Sequence, residues 1–173
     1  MAEISKSDSR SVSVPVLAQR WVMLSVILGT GTVSLSNSSF NPAIPQLMQD
    51  FQLTEAAVSW VVVIFLLTMS LSLLLTGFLS QRFGQRRVYL SALSIFMLSS
   101  VCGAFAADFE RVLAIRALQG FSSGLMIPLS LGIIFSVIPQ QQRGAATGLW
   151  GAMIMLTLAC GPMLGALMLV GFS

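Results

Sequence analysis

Five long stretches with few or no charged residues constrain what this chain of 173 residues can fold into. Four of them contain no Asp, Glu, Lys or Arg, and the fifth, residues 112–142, contains only Arg116. Each can supply the roughly 20 residues that a helix needs to cross about 30 Å of hydrocarbon. Hydrocarbon offers no partners for open backbone groups, so the sequence predicts an all-α membrane bundle of about five transmembrane helices. The predicted spans lie near 21–44, 57–79, 88–107, 112–136 and 147–170.

Composition argues against a water-soluble domain and against catalysis. Charged residues make up only 9 % of the chain, whereas soluble domains carry about 25 %. There is no histidine, no acid within a predicted span, no pair of nucleophile and base, and no phosphate-binding loop. Cys102 and Cys160 lie in apolar stretches and are expected to be buried small hydrophobes. We therefore predict no enzyme activity, no cofactor, no metal site and, since the basic residues are scattered, no nucleic-acid partner.

The distribution of basic residues predicts the orientation in the lipid bilayer. One side of the predicted bundle receives Lys6, Arg10, Arg20, Arg82, Arg86, Arg87 and Arg143, and the other receives only Arg111. Because cytoplasmic loops are enriched in Lys and Arg, the N-terminus is predicted to be cytoplasmic, in a plasma (bacterial inner) membrane. Residues 1–19 are polar and are expected to form a disordered cytoplasmic tail. Residues 20–173 form the bundle, which we expect to be incomplete because it ends on an odd span without a polar tail.

Arg116 lies inside the fourth predicted span, where an ionised side chain costs about 2.5–3.5 kcal/mol near the bilayer centre. Two interpretations remain open. The side chain could reach the headgroups as a shallow anchor, because it lies fairly near Glu110 at the start of the span. It could instead face the bundle interior or a water-filled path, which would make it functional. Gln119 follows one helical turn later and is a candidate for the same site.

The second half of the first span is unusually polar. Asn37 and Asn41 are four residues apart and are expected to share one helix face. The polar residues could join helices by hydrogen bonds, or they could form a hydrated wall that faces a substrate. Pro42 and Pro45 are expected to break the helix after this segment.

Two further segments have patterns with mechanical meaning. In residues 77–87, Gly77 is expected to admit a neighbouring helix and Gly84 a tight turn at positive φ. The arginines there could serve only as a cytoplasmic anchor. In the fifth span, Pro162 cannot donate to a carbonyl one turn earlier, so a kink is expected. Gly161 and Gly165 flank it and should form a groove for another helix.

These segments together resemble the major facilitator superfamily. Residues 77–87 are similar to its loop motif G-x-L-x-D-[RK]-x-G-[RK]-[RK], with Gln81 and Gln85 in place of the usual acid and base. The resemblance implies that this loop helps to gate conformational change, and it assigns that role to Gly77, Arg82, Gly84, Arg86 and Arg87. Residues 116–120 are similar to the motif R-x-x-Q-G, and Pro128 downstream is typical of the 14-span drug:proton antiporter branch.

The first and fifth spans extend the resemblance. Residues 161–165 read G-P-M-L-G, an element that marks exporters in this superfamily. The first span resembles the antiporter pattern L-D-x-x-x-x-N-x-A-L-P, with Ser36 at the acidic position. No acid lies in any predicted span, so a proton site would lie elsewhere or the coupling differs. The candidate residues for substrate or coupling, from the polar face of the first span and from the resemblance, are Ser36, Asn37, Asn41, Arg116 and Gln119.

The function implied is proton-coupled efflux of small amphipathic compounds by alternating access. The partners implied are the lipid bilayer, the small amphipathic substrate, a proton as coupling ion, and a missing C-terminal half. Two alternatives remain. One is an exporter of a specific metabolite. The other is a truncated chain that transports nothing, either a remnant or a membrane-embedded interaction partner.

The predicted orientation can be tested with single cysteines, Gln52→Cys and Gln85→Cys, in a chain from which Cys102 and Cys160 have been removed. An impermeant thiol reagent applied to intact cells should label position 52, because residues 47–55 are predicted to be external. It should not label position 85. Labelling of position 85 but not of position 52 would contradict the predicted orientation and indicate the opposite one.

Overall fold

A computed structural model describes residues 16–171 of the chain as helices joined by short turns. Single turns of 3₁₀ helix at Asn41–Ala43 and Gln140–Gln142 lead into α2 and α6, and the described residues contain no strand. The predicted all-α class is confirmed. The helices are α1 (Val16–Ser39), α2 (Ile44–Asp50), α3 (Glu55–Phe83), α4 (Gln85–Gly103), α5 (Phe109–Val137) and α6 (Arg143–Gly171).

The two parts of the tail predicted over residues 1–19 have different outcomes. Residues 1–15 of the expected tail lie outside the described residues. Because α1 already begins at Val16, residues 16–19 are helical, and the prediction that they are disordered is wrong.

Three helices in the described part of the chain are long and apolar enough to cross a membrane: Glu55–Phe83, Phe109–Val137 and the segment Gln140–Leu167 that contains most of α6. The other two long helices are less apolar for reasons visible in their sequences. α4 has 19 residues and begins with Arg86 and Arg87 next to Gln85. α1 has 24 residues, and its second half is rich in Ser, Thr and Asn. That α1 and α4 also span the bilayer remains a prediction.

Local chemistry explains where the helices begin and end. The Thr54 hydroxyl accepts a hydrogen bond from the Ala57 backbone N–H at 3.3 Å and caps α3. Gly84 separates α3 from α4 at φ 85°, which glycine adopts without steric cost, as the sequence predicted. At the end of α5, Arg143 Nη2 donates to the Phe135 carbonyl at 3.0 Å and satisfies an otherwise open acceptor. α1 ends at Ser39, so the predicted first span extended five residues too far.

α5 is the central helix of the bundle. It packs most extensively on α3 and α4 and also contacts α1, while α1 pairs with α6. Gly120 lies directly against the Phe65 carbonyl, and Gly124 against the Met69 carbonyl and Ser72. Because these two glycines are four residues apart, they form one smooth strip that lets the α3 backbone approach closely.

The two ends of the bundle differ in character. An apolar cluster extends from the end where α1, α4 and α6 begin and α5 finishes to the middle of the bundle. It contains Val26, Val33, Val88, Tyr89, Ala92, Phe96, Leu125, Met126, Leu129, Ile134 and Ala146. At the opposite end, the polar residues of α1 face the start of α5 across cavities.

The outer surface is rich in large apolar side chains such as Leu74, which is 81 % exposed. Water would penalise such a surface, whereas lipid accommodates it. Cys102 and Cys160 are free and also lie on this surface, so the expectation that they are buried is wrong. Both are small apolar residues on helices whose outer sides tolerate them as well as a core does.

The glycine strip can be tested by Gly120→Ala, because the added methyl group would collide with the α3 backbone. We expect the variant to lower the free energy of unfolding by about 1–3 kcal/mol. The matched control is Gly148→Ala in α6, where the new carbon meets nothing within 4 Å. The control should be neutral or stabilise by up to about 1 kcal/mol. Unfolding midpoints of the full-length protein in detergent measure both, and equal midpoints would contradict the proposed packing.

Candidate functional site

Arg116 of α5 is 5 % exposed and is the only buried charged side chain among the described residues. Its Nη1 donates to Asn37 Oδ1 of α1 across a long 3.4 Å. Its Cζ lies 3.1 Å from the centre of the Phe40 ring and 6.0 Å from that of Phe65 in α3. The guanidinium is therefore enclosed by neighbouring elements rather than extended along the bundle surface. This placement favours the functional interpretation over the headgroup anchor.

The charge of Arg116 is only partly compensated. A guanidinium has five N–H donors, and Nη2 is buried without a hydrogen-bond partner among the described residues. No described carboxylate lies within ion-pair distance of it, since the described ion pair joins Arg111 and Asp108. Contact with an aromatic face contributes about 0.5–2 kcal/mol, whereas burying a charge costs several kcal/mol. An open buried donor of this kind requires an explanation, and a bound ligand is one.

Two cavities meet at Arg116. The larger, of about 520 Å³, falls within the usual size range of small-molecule sites. It is lined by Ser36, Phe40, Leu47, Phe51, Ser100, Gly103, Ala104, Ala106, Val112, Ile115, Arg116 and Gln119. The smaller, of about 100 Å³, is lined by Asn37, Phe40, Asn41, Val61, Val62, Phe65, Leu66 and Arg116. Arg116 and Phe40 are common to both, so they separate the two spaces.

The structure brings all five predicted site residues around these cavities. Ser36 and Gln119 line the larger one together with Arg116, and Gln119 Nε2 donates to Ser100 Oγ at 3.0 Å. Asn37 and Asn41 line the smaller one. The prediction that Asn37 and Asn41 share one helix face was wrong, because Asn41 lies in the 3₁₀ turn after α1.

Sequence reasoning missed two residues of this site. Phe40 covers the guanidinium, and a signal for it existed, since it stands between the two asparagines just before the predicted break. Ser100 of α4 had no such signal. Its role depends on the packing of α4 against α5, which brings it to a residue 19 positions away.

A second polar junction joins α1 to α6. Pro162 cannot donate to the Leu158 carbonyl, and the Ser38 hydroxyl of α1 donates to that carbonyl at 2.8 Å instead. Gly161 lies against the Ser38 side chain, and Gly165 against the Ser39 backbone. The close approach expected at these glycines is therefore present, with α1 as the partner. α6 runs as one helix through Pro162, and the expected kink remains a prediction.

The predicted gating loop lies at the opposite end of the bundle from Arg116. Gly77, Arg82, Gly84, Arg86 and Arg87 are all exposed around the turn between α3 and α4. The helix approach expected at Gly77 is not made by any described residue, since a carbon added there meets nothing within 4 Å. Gln85, at the position where the motif usually has a base, packs its side chain against Gly132 of α5.

The helical bundle, its apolar outer surface and its internal cavities beside a buried arginine define a helical membrane protein. Residues 26–173 match the Major Facilitator Superfamily, and the chain belongs to this family. It resembles the drug:proton antiporters of the family, as the sequence motifs predicted.

Three relatives illustrate the range of the family. The chain is 31 % identical to the methylenomycin A resistance protein of Streptomyces coelicolor, over its full length and 38 % of that protein. It is 30 % identical to the tetracenomycin C resistance and export protein of Streptomyces glaucescens, over 84 % of this chain and 27 % of that one. It is 26 % identical to the riboflavin transporter RibZ of Clostridioides difficile, over 91 % and 35 % respectively. The chain thus spans about a third of the length of these relatives.

The junction between α1 and α6 generates a double-mutant test. Ser38→Ala should lower the free energy of unfolding by about 1–3 kcal/mol, because it leaves the Leu158 carbonyl without its donor. In a Pro162→Ala background the same change should cost much less, because the new backbone N–H can reach that carbonyl.

Ser39→Ala is the matched control, because the Ser39 hydroxyl bonds the Leu35 carbonyl of its own helix at 2.8 Å. Its cost should be the same in both backgrounds. Thermal unfolding of the full-length protein measures the cycle. If Ser38→Ala costs as much with alanine at 162 as with proline, the hydroxyl does not replace the missing donor.

Proposed function

We propose that the chain forms part of the helical bundle of a transporter that exports small amphipathic compounds across a bacterial inner membrane. The observation that carries the proposal is the buried Arg116, with an open donor, beside a cavity of about 520 Å³. An ionisable side chain held inside membrane helices and next to a cavity usually belongs to a transport path. The names of the two resistance proteins support export of small compounds.

The mechanism we propose is alternating access. Two halves of such a transporter rock around a central site, and the helices described here supply most of one half. Further segments of the protein would complete the enclosure. In this proposal Ser36, Asn37, Asn41, Arg116 and Gln119 contact the substrate or carry the coupling. The exposed arginines of the α3–α4 turn would face the cytoplasm, together with the N-terminus, and take part in gating.

Proton coupling is part of the proposal, but its carboxylate is not among the described helices. No Asp or Glu lies in the interior of α1, α3, α4, α5 or α6, and Ser36 stands at the position where the antiporter pattern has an acid. The proton-binding group would then come from another segment of the protein. No group of residues suited to a metal occurs in the described part of the chain, and we propose neither a cofactor nor an enzymatic reaction.

A specific metabolite is the second candidate substrate. The relative named a riboflavin transporter favours this alternative, because its match covers 91 % of the chain, a share between the 84 % and 100 % of the two resistance proteins. Competition between a dye and a panel of metabolites and antibiotics in cells that express the full-length protein would separate the two.

The role of Arg116 can be tested by Arg116→Ala in the full-length protein, expressed in a strain that lacks its own pumps. We expect efflux to fall at least about tenfold at equal abundance in the membrane, because the variant removes the buried charge from the cavity wall. Arg116→Lys should retain part of the activity if charge alone matters, and little if the planar fork of donors matters.

The matched control is Arg111→Ala, which removes an exposed arginine from the same helix. It should leave efflux unchanged. Normal efflux by Arg116→Ala would favour the anchor interpretation, since the buried charge would then serve no transport step.

A further inference from the structure

We propose that the cavity beside Arg116 binds amphipathic anions, with a carboxylate or similar head at the guanidinium and an apolar body among the aromatic side chains. This inference rests on the proposed function and names the class of compound that the site selects. It is carried by three properties of the site: the only buried charged side chain among the described residues is positive, one of its donors is open, and the cavity wall is mostly apolar.

The first step concerns what the guanidinium lacks. Arg116 is 5 % exposed, its contact with Asn37 is long at 3.4 Å, and Nη2 has no partner among the described residues. Aromatic contact with Phe40 stabilises the positive charge but satisfies no N–H donor. A carboxylate satisfies two parallel donors of a guanidinium at once, and this geometry is the one that arginine recognises best.

The second step concerns what the cavity excludes. Among the side chains that the structure describes, no Asp or Glu lines the larger cavity, so these residues offer a cation no opposite charge. A cation placed there would face Arg116 at short range, where charge repulsion is strong because water is scarce. A neutral compound with a carbonyl or hydroxyl oxygen can accept from the open donor, but it leaves the positive charge uncompensated. An anion is the ligand that compensates the buried charge.

The third step concerns the body of the ligand. Phe40, Phe51 and Leu47 line the cavity on one side, and Val112 and Ile115 of α5 contribute further apolar surface. Ser36, Ser100 and Gln119 are the polar lining residues besides Arg116, and Gln119 is already bonded to Ser100. The site therefore suits an apolar or aromatic body with one charged head, not a polyol or a multiply charged ion.

The test uses three probes with the same aromatic body: 1-naphthaleneacetate, the neutral 1-naphthaleneacetamide and the cationic 1-naphthylmethylamine. Binding to the purified full-length protein is measured by competition against radiolabelled naphthaleneacetate. We expect the anion to bind about tenfold or more tightly than the amide, and the amine to bind most weakly. Arg116→Gln should abolish this ranking, Arg116→Lys should keep most of it, and Arg111→Gln, which removes an exposed charge, should leave it unchanged.

The ranking by the wild-type protein decides the proposal even if Arg116→Gln fails to fold. Equal affinities, preference for the amine, absence of anion binding, or a ranking that persists in folded Arg116→Gln would overturn it. Preference for the amine would indicate that a carboxylate from another segment neutralises Arg116. Uptake into inside-out vesicles is measured separately. Anion binding without energy-dependent uptake would refute export but retain the site, whereas uptake of the amine alone would retain export and refute the anion site.

Discussion

Backbone contact between α5 and α3 is the constraint on which the rest of the structure depends. Gly120 and Gly124 have no side chain to hold the helices apart, so the Phe65 and Met69 carbonyls lie directly against them. Arg116 is four residues before Gly120 and therefore lies on the same strip of α5. The contact that joins the two helices thus also brings the Phe65 ring to 6.0 Å from the guanidinium. The glycine contact therefore determines both the packing of α5 on α3 and the position of the Arg116 charge.

The polar side chains of the bundle form two kinds of hydrogen bond, one within a single helix and one between helices. Many Ser and Thr hydroxyls donate to a carbonyl of their own helix, as Thr32 does to Leu28 and Ser94 to Leu90. The hydroxyl donors of such residues are satisfied within one helix, so these residues need no partner helix in lipid. Ser38 is different, because its hydroxyl donates to the Leu158 carbonyl of α6 and replaces the donor that Pro162 lacks. Ser100 follows the ordinary pattern by donating to Phe96, and its oxygen also accepts from Gln119 of the neighbouring helix.

The sequence was sufficient to predict the all-α class and the approximate helices, because charge-free stretches and proline or glycine breaks are local signals. Gly84 illustrates this, since its positive φ follows from its place between two long helices. It was not sufficient for contacts made by packing. The burial of Arg116 under Phe40 and the bond from Ser38 to Leu158 depend on which helices pair, and residue spacing does not contain that information. Asn41 was predicted to lie in the first helix, but that helix ends at Ser39, before Pro42 is reached.

The last residues of α1 contribute to both polar junctions, and this links them physically. Ser36 lines the larger cavity, Asn37 and the following Phe40 contact Arg116, and Ser38 and Ser39 lie against α6. Neighbouring residues of a helix cannot move independently, because their backbone hydrogen bonds fix the separation between them. A shift of α6 along α1 must therefore either break the Ser38 bond or carry Asn37 with it. The packing of residues 161–165 and the contacts of Arg116 are consequently coupled through the last residues of α1.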